Sequence, residues 1–113
     1  MFLKLKRLFL LLPFLIAVAC GGLEKIPDDK QDYVGIWQNT HVFLSITPDA
    51  RIDYQFKKGN VSKSIRAPIT QFKEHNFEVG AAGIKTTFVV SKPPYKEEGK
   101  WKMVVDGYEL IRQ

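Results

Sequence analysis

Side chains able to do chemistry are few in this chain. Its 113 residues hold one cysteine, Cys20, and two histidines, His41 and His75. A single cysteine excludes an intramolecular disulfide framework and any cysteine-rich zinc site. The two histidines fall in different strand–turn regions, without the spacing of a metal pair, and are read as loop-side residues. Asp28-Asp29 and Glu97-Glu98 are adjacent acidic pairs. Neighbours in extended chain point to opposite sides, so neither makes a two-carboxylate site. Ser45, Ser62, Ser64 and Ser91 lack a nucleophile-elbow context. The glycine-bearing stretches KKGN (57–60) and GAAG (80–83) are not phosphate loops and are read as turns. No catalytic residue, metal ligand or cofactor is assigned, and a non-enzymatic protein is expected.

Cys20 is the exception, because of its place. MFLKLKR opens the chain with three basic residues, and Leu8 to Ala19 follow without a charge. Twelve residues are too few to span a bilayer comfortably, which takes roughly 20. A basic start, a short apolar run and small residues at its exit are the parts of an export signal, read over residues 1–19. Pro13 suits a temporary segment better than a packed helix. Ala17-Val18-Ala19 meets the small-x-small rule for ordinary cleavage. Followed by Cys20, the same residues resemble the lipobox of bacterial lipoproteins. Three outcomes stand: a lipidated Cys20 as mature N-terminus, a free N-terminal thiol, or an uncleaved anchor. A free thiol would pair or oxidise in an exporting compartment, and the third asks a short helix to span. The resemblance implies a thioether-linked diacylglycerol on Cys20 and an extra acyl chain on its amine. It also implies a cell-envelope location. Gly21 is not the Asp that retains such proteins in an inner membrane, so an organism with two membranes would hold it in the outer one, facing the periplasm.

The signal also accounts for most of the charge. The formal net charge is +5, but removing Lys4, Lys6 and Arg7 leaves fourteen basic side chains against twelve acidic ones. A balance of +2 without a basic stripe gives no support for nucleic-acid binding.

Residues 20–32 carry two glycines, a proline and six charges without apolar period. They are expected to be the lipidated cysteine and a flexible tether. From Tyr33 onward the period is two. Val42, Leu44 and Ile46 share a face, as do Ile52, Tyr54 and Phe56, with Thr47 to Ala50 as the turn between. Pro68 marks a bend or strand end. ITQF (69–72) and FEV (77–79) are expected as separate short strands, IKTTFVVS (84–91) as one covered strand, and KPPYKEEG (92–99) as a polar loop. Asp106-Gly107 predicts a type I′ hairpin turn that pairs Val105 with Tyr108, Met103 with Leu110 and Trp101 with Arg112. It places Trp101, Met103, Val105, Tyr108 and Leu110 on one face. The expectation is an all-β domain over 33–113: a small antiparallel β-barrel or barrel-like sandwich of about eight short strands.

Gly35-Ile36-Trp37 at the start of the first strand and Arg112 near the end of the last resemble the lipocalin-like, or calycin, group of β-barrels. That resemblance implies a barrel whose end is closed by the pair Trp37 and Arg112, the guanidinium packing across the indole. Gly35 would permit close approach. Two functions follow as expectations. One is an envelope lipoprotein bound to the lipid bilayer through acylated Cys20, acting as a structural or accessory module on an envelope protein partner. The other is a lipocalin-like binder of a small apolar ligand. An eight-strand interior is either just filled or holds one small ligand, and the supply of aromatics favours filled.

Overall fold

The structure, a computed structural model, describes residues 22–113. They form nine antiparallel strands in one curled half-barrel sheet, the all-β architecture that the alternation predicts. The strands are β1 (Gly35–Gln38), β2 (Val42–Ile46), β3 (Arg51–Lys58), β4 (Val61–Lys73), β5 (Asn76–Ala81), β6 (Ile84–Phe88), β7 (Val90–Glu97), β8 (Lys100–Val105) and β9 (Tyr108–Arg112). Cys20 and residues 1–19, expected to be an export signal, lie outside the described residues.

The order across the sheet is β6-β5-β4-β3-β2-β1-β9-β8-β7. Its two end strands are separated along the chain by Val89 alone. A single run of chain thus serves both ends of the sheet, and the sheet must curl to allow it. The junction is held by side chains that replace ladder bonds. Asp106 Oδ1 accepts from the Val89 N–H at 2.9 Å, and the Asp106 N–H donates to the Val89 carbonyl at 2.8 Å. Asn76 Oδ1 accepts from the Val90 N–H at 2.8 Å. IKTTFVVS is therefore two strands rather than one. Most of β6 is exposed, Ile84 at 72%, because β5 is its only ladder partner.

Alternation places the core. Val42, Leu44 and Ile46 of β2 face inward with Ile52 and Tyr54 of β3, in direct register Leu44↔Tyr54 and Ile46↔Ile52. The last hairpin has the register its turn chemistry predicts, Val105↔Tyr108 and Met103↔Leu110. Asp106 and Gly107 have φ of 50° and 85°, the left-handed pair a type I′ turn requires. Phe77 stacks on Phe88 at 5.0 Å, and Tyr54 meets Phe88 edge-on at 4.9 Å.

Two proline segments depart from expectation. Strand β4 runs through Pro68 for thirteen residues and includes ITQF. Pro68 is where β4 changes partner, pairing with Arg51 of β3 before it and with β5 from Ile69 onward. A missing N–H is tolerated at such a handover. KPPYKEEG contributes most of β7, an end strand paired only with β8, whose register shifts twice between Val90 and Tyr95. Prolines fit there because an end strand has one unpaired edge and bulges relax the ladder.

The segment expected to be a slack tether is packed. The Leu23 N–H donates to the Ile69 carbonyl at 2.8 Å, and the Ile26 N–H to the Pro48 carbonyl at 3.0 Å. Ile26 is fully buried. A 3-10 helix, Asp28–Tyr33, then leads into β1. Tyr33 is buried, its hydroxyl donating to the His75 carbonyl at 2.8 Å and its ring meeting Phe72 edge-on at 5.2 Å. Burying an Ile or a comparable side chain stabilises by about 1.5–3 kcal/mol. Leu23, Ile26 and Tyr33 stand among six charges and Pro27 with too few apolar residues to make a continuous face, which is why the segment reads as linker.

Candidate functional site

The Gly35, Trp37 and Arg112 arrangement stands where the chain's first and last strands meet. Trp37 is the direct cross-strand partner of Arg112 in the short β1–β9 ladder. Trp37 is fully buried, its indole N–H donating to the Tyr33 carbonyl at 2.9 Å. The Arg112 guanidinium carbon lies 5.7 Å from the Trp37 ring centroid and 4.9 Å from that of Trp101. Arg112 is thus held by both tryptophans of the chain, within the distance at which a ring face attracts a cation. The arginine stem crosses Gly35. A Cβ there would stand 2.7 Å from Arg112 Cδ, and Gly35 has φ of 142°. Both facts require glycine, so the Gly-x-Trp spacing and the distant Arg112 form one packing unit. The Asp106-Gly107 turn already places Trp101 opposite Arg112, and the structure adds that the Trp101 ring lies against the guanidinium.

The 3-10 helix covers the same end of the sheet. Tyr33 links it to Phe72 and Phe77 through edge-on ring contacts. Burial, with the Asp29 carboxylate second, pushes the Tyr33 phenol up to about 12. Tyr54, deeper in the sheet, is raised in the same direction, first by burial and then by Asp106.

The remaining chemistry-bearing residues are dispersed. His41 lies beside β2, its Nδ1 3.2 Å from the Lys57 carbonyl, while His75 sits in the β4–β5 turn. Glu97 pairs with Lys102 at 2.9 Å across the β7–β8 hairpin, and each draws the other's proton equilibrium towards the charged pair. Glu98 sits in the turn itself at φ 54°. Asp28 and Asp29 occupy the first turn of the 3-10 helix. Among the described residues no three His, Cys, Asp or Glu side chains are grouped to hold a metal ion.

Two surface depressions bear on binding. One, about 300 Å³, runs over β1 to β4 around Phe43, Gln55 and Lys63. The other, about 250 Å³, is a cleft between β4 and the β5–β6 hairpin, lined by Ile65, Ala67, Val79, Ala81 and Ile84. It opens because the β4–β5 ladder ends at Ile69↔Val79 while β5 continues to Ala81 with β6. Neither reaches the fully buried Trp37, Leu44, Met103 and Leu110. Compared with family models, with curated proteins and with solved structures, this chain found no match.

Proposed function

We propose that this protein is an envelope lipoprotein anchored to the bilayer by acylated Cys20, acting by contact, as a structural or accessory module, rather than by catalysis. One observation carries the reading. The only cysteine directly follows Ala17-Val18-Ala19 at the end of an uncharged run that three basic residues precede. A lone cysteine at the exit of an export-signal pattern is placed for attachment. Membrane attachment by two or more chains is stable where a single chain is not. In a two-membrane envelope Gly21 favours the outer membrane, with the domain facing the periplasm. Radiolabelled palmitate fed to cells should enter the wild-type protein and not Cys20→Ser, and the variant should leave the membrane fraction. A Cys20→Ser protein that stays in the membrane would mean an uncleaved anchor instead. Crosslinking in intact envelopes should return a reproducible protein neighbour, and its absence would count against the contact role.

A second reading, a binder of a small apolar ligand, draws support from the Gly35, Trp37 and Arg112 unit. Tyr54, Phe77, Phe88 and Met103 occupy the inner face where such a ligand would sit, which favours the first reading. A fluorescent fatty-acid probe that binds the purified protein saturably and is displaced by unlabelled fatty acid would reverse that preference.

A further inference from the structure

We infer that the domain is not held on a leash but lies directly on the bilayer, with the β4–β5 wall and the tip of the β5–β6 hairpin as its membrane face. The inference rests on the lipidated Cys20 proposed above. Its geometry comes from the contacts of Gly22 and Leu23. The backbone at Gly22 already touches β4: a Cβ there would stand 2.9 Å from both the Ile69 carbonyl oxygen and Pro68 Cβ. The next residue, Leu23, is fixed by its hydrogen bond to the same carbonyl. Only two peptide steps separate Cys20 from Gly22, a span of about 7 Å at full extension. That is about the thickness of the headgroup layer on one side of a bilayer, where core and total thickness are about 30 and 40–45 Å. Whatever surface surrounds Gly22 must meet the headgroups.

That surface is continuous and is not an end of the barrel. Gly22 and Leu23 share a depression with Arg51, Pro68, Gly80 and Ala81. Gly80 and Ala81 continue into the β4–β5 cleft, whose outer lip is Ile84. Ile84 is 72% exposed, the most exposed of the large apolar side chains described. Its position beside Ala81, across the hairpin turn Ala82-Gly83, lets it reach apolar lipid while the domain stays outside. Charge does not select the partner. Arg51, Arg66 and Lys85 on this wall are balanced by Glu24, Asp49, Asp53 and Glu78, with Arg66 paired to Asp53 at 3.4 Å. Contact should therefore be set by the short link and by Ile84, and be the same on zwitterionic and anionic vesicles. β1 and β9 lie three and four strands from β4 in the sheet order, so their outer face points away from the bilayer and is left for a protein partner.

Acylation of Cys20 consumes the only native thiol, so Ile84→Cys and Ile36→Cys each create one labelling site. Ile36, on β1, is 42% exposed and serves as the remote control. Each full-length lipidated protein is labelled with bimane and reconstituted into phosphatidylcholine vesicles carrying brominated acyl chains. The label at 84 should lose about half its emission or more, as expected at the headgroup–acyl boundary, and the label at 36 should keep nearly all of it. Inserting about ten Gly/Ser residues between Gly21 and Gly22, with a typical span of about 17 Å, should restore the emission at 84. Equal quenching at both sites, or none at 84 while the protein remains on the vesicles, overturns the inference and leaves the anchor standing. Bimane uptake by the wild-type protein, or failure to bind vesicles, overturns the anchor and the inference with it.

Discussion

Replacing Arg112 by alanine should destabilise the domain by about 3 kcal/mol. The guanidinium attracts two indole faces, at 5.7 and 4.9 Å, each contributing about 1 kcal/mol at a partly buried site. Its stem lies over Gly35, and the one or two covered methylenes add about 1 kcal/mol. With a urea m value of about 1.5 kcal/mol/M, suited to a small domain, the midpoint should fall by about 2 M at unchanged slope. Arg112→Lys should regain the stem but not the planar contact, recovering about a third of the loss. The decisive figure is the coupling in a double-mutant cycle of Arg112→Ala with Trp101→Leu. It isolates the second ring, and should be about 1 kcal/mol. Unfolding followed by far-ultraviolet circular dichroism avoids the loss of the Trp101 signal. A coupling below about 0.3 kcal/mol would refute the reasoning, since Arg112 would then touch Trp101 without drawing stability from it.

Other outcomes follow from the same geometry. Ile26→Ala should cost about 2–4 kcal/mol in urea unfolding, as a fully buried position does, whereas a slack tether predicts no change. The Tyr33 phenol is raised from 10.0 to about 12, so the folded chain holds that proton more tightly than the unfolded one. Its contribution is complete below pH 10 and is lost as pH rises through about 12. Urea midpoints measured from pH 9 to 12 should fall more steeply for the wild type than for Tyr33→Phe. Asn76→Ala leaves the Val90 N–H without its acceptor, which should cost about 1–2 kcal/mol and speed amide exchange at Val89 and Val90 before the rest of the sheet.

The strand faces were legible because the period-two alternation and the core agree. Val42, Leu44 and Ile46 point inward both by pattern and in the structure. Asp106-Gly107 announced its turn because Asp and Gly tolerate a left-handed backbone. Ala82-Gly83 and Glu98-Gly99 take the same pair of positive φ values, but Ala and Glu do not advertise the turn type, and KPPYKEEG was read as a loop where the second of them closes a hairpin. The break at Val89 was invisible for a different reason. It depends on Asn76 and Asp106 arriving from elsewhere in the chain to satisfy the Val89 and Val90 N–H groups. The docked segment before β1 hides its packing because Leu23, Ile26 and Tyr33 are scattered among charges and Pro27. The Trp37–Arg112 stacking was legible through the resemblance and the Trp101–Arg112 pairing through the Asp106-Gly107 turn, but the stem over Gly35 needs the β1–β9 register.

The account turns on Cys20, and intact-mass analysis of the protein extracted from its native membrane tests it most directly. The account predicts a detergent-soluble chain that begins at Cys20 and carries the diacylglyceryl and acyl groups on that residue. A water-soluble chain beginning at an unmodified Cys20, or a membrane-bound chain that retains residues 1–19, would contradict it.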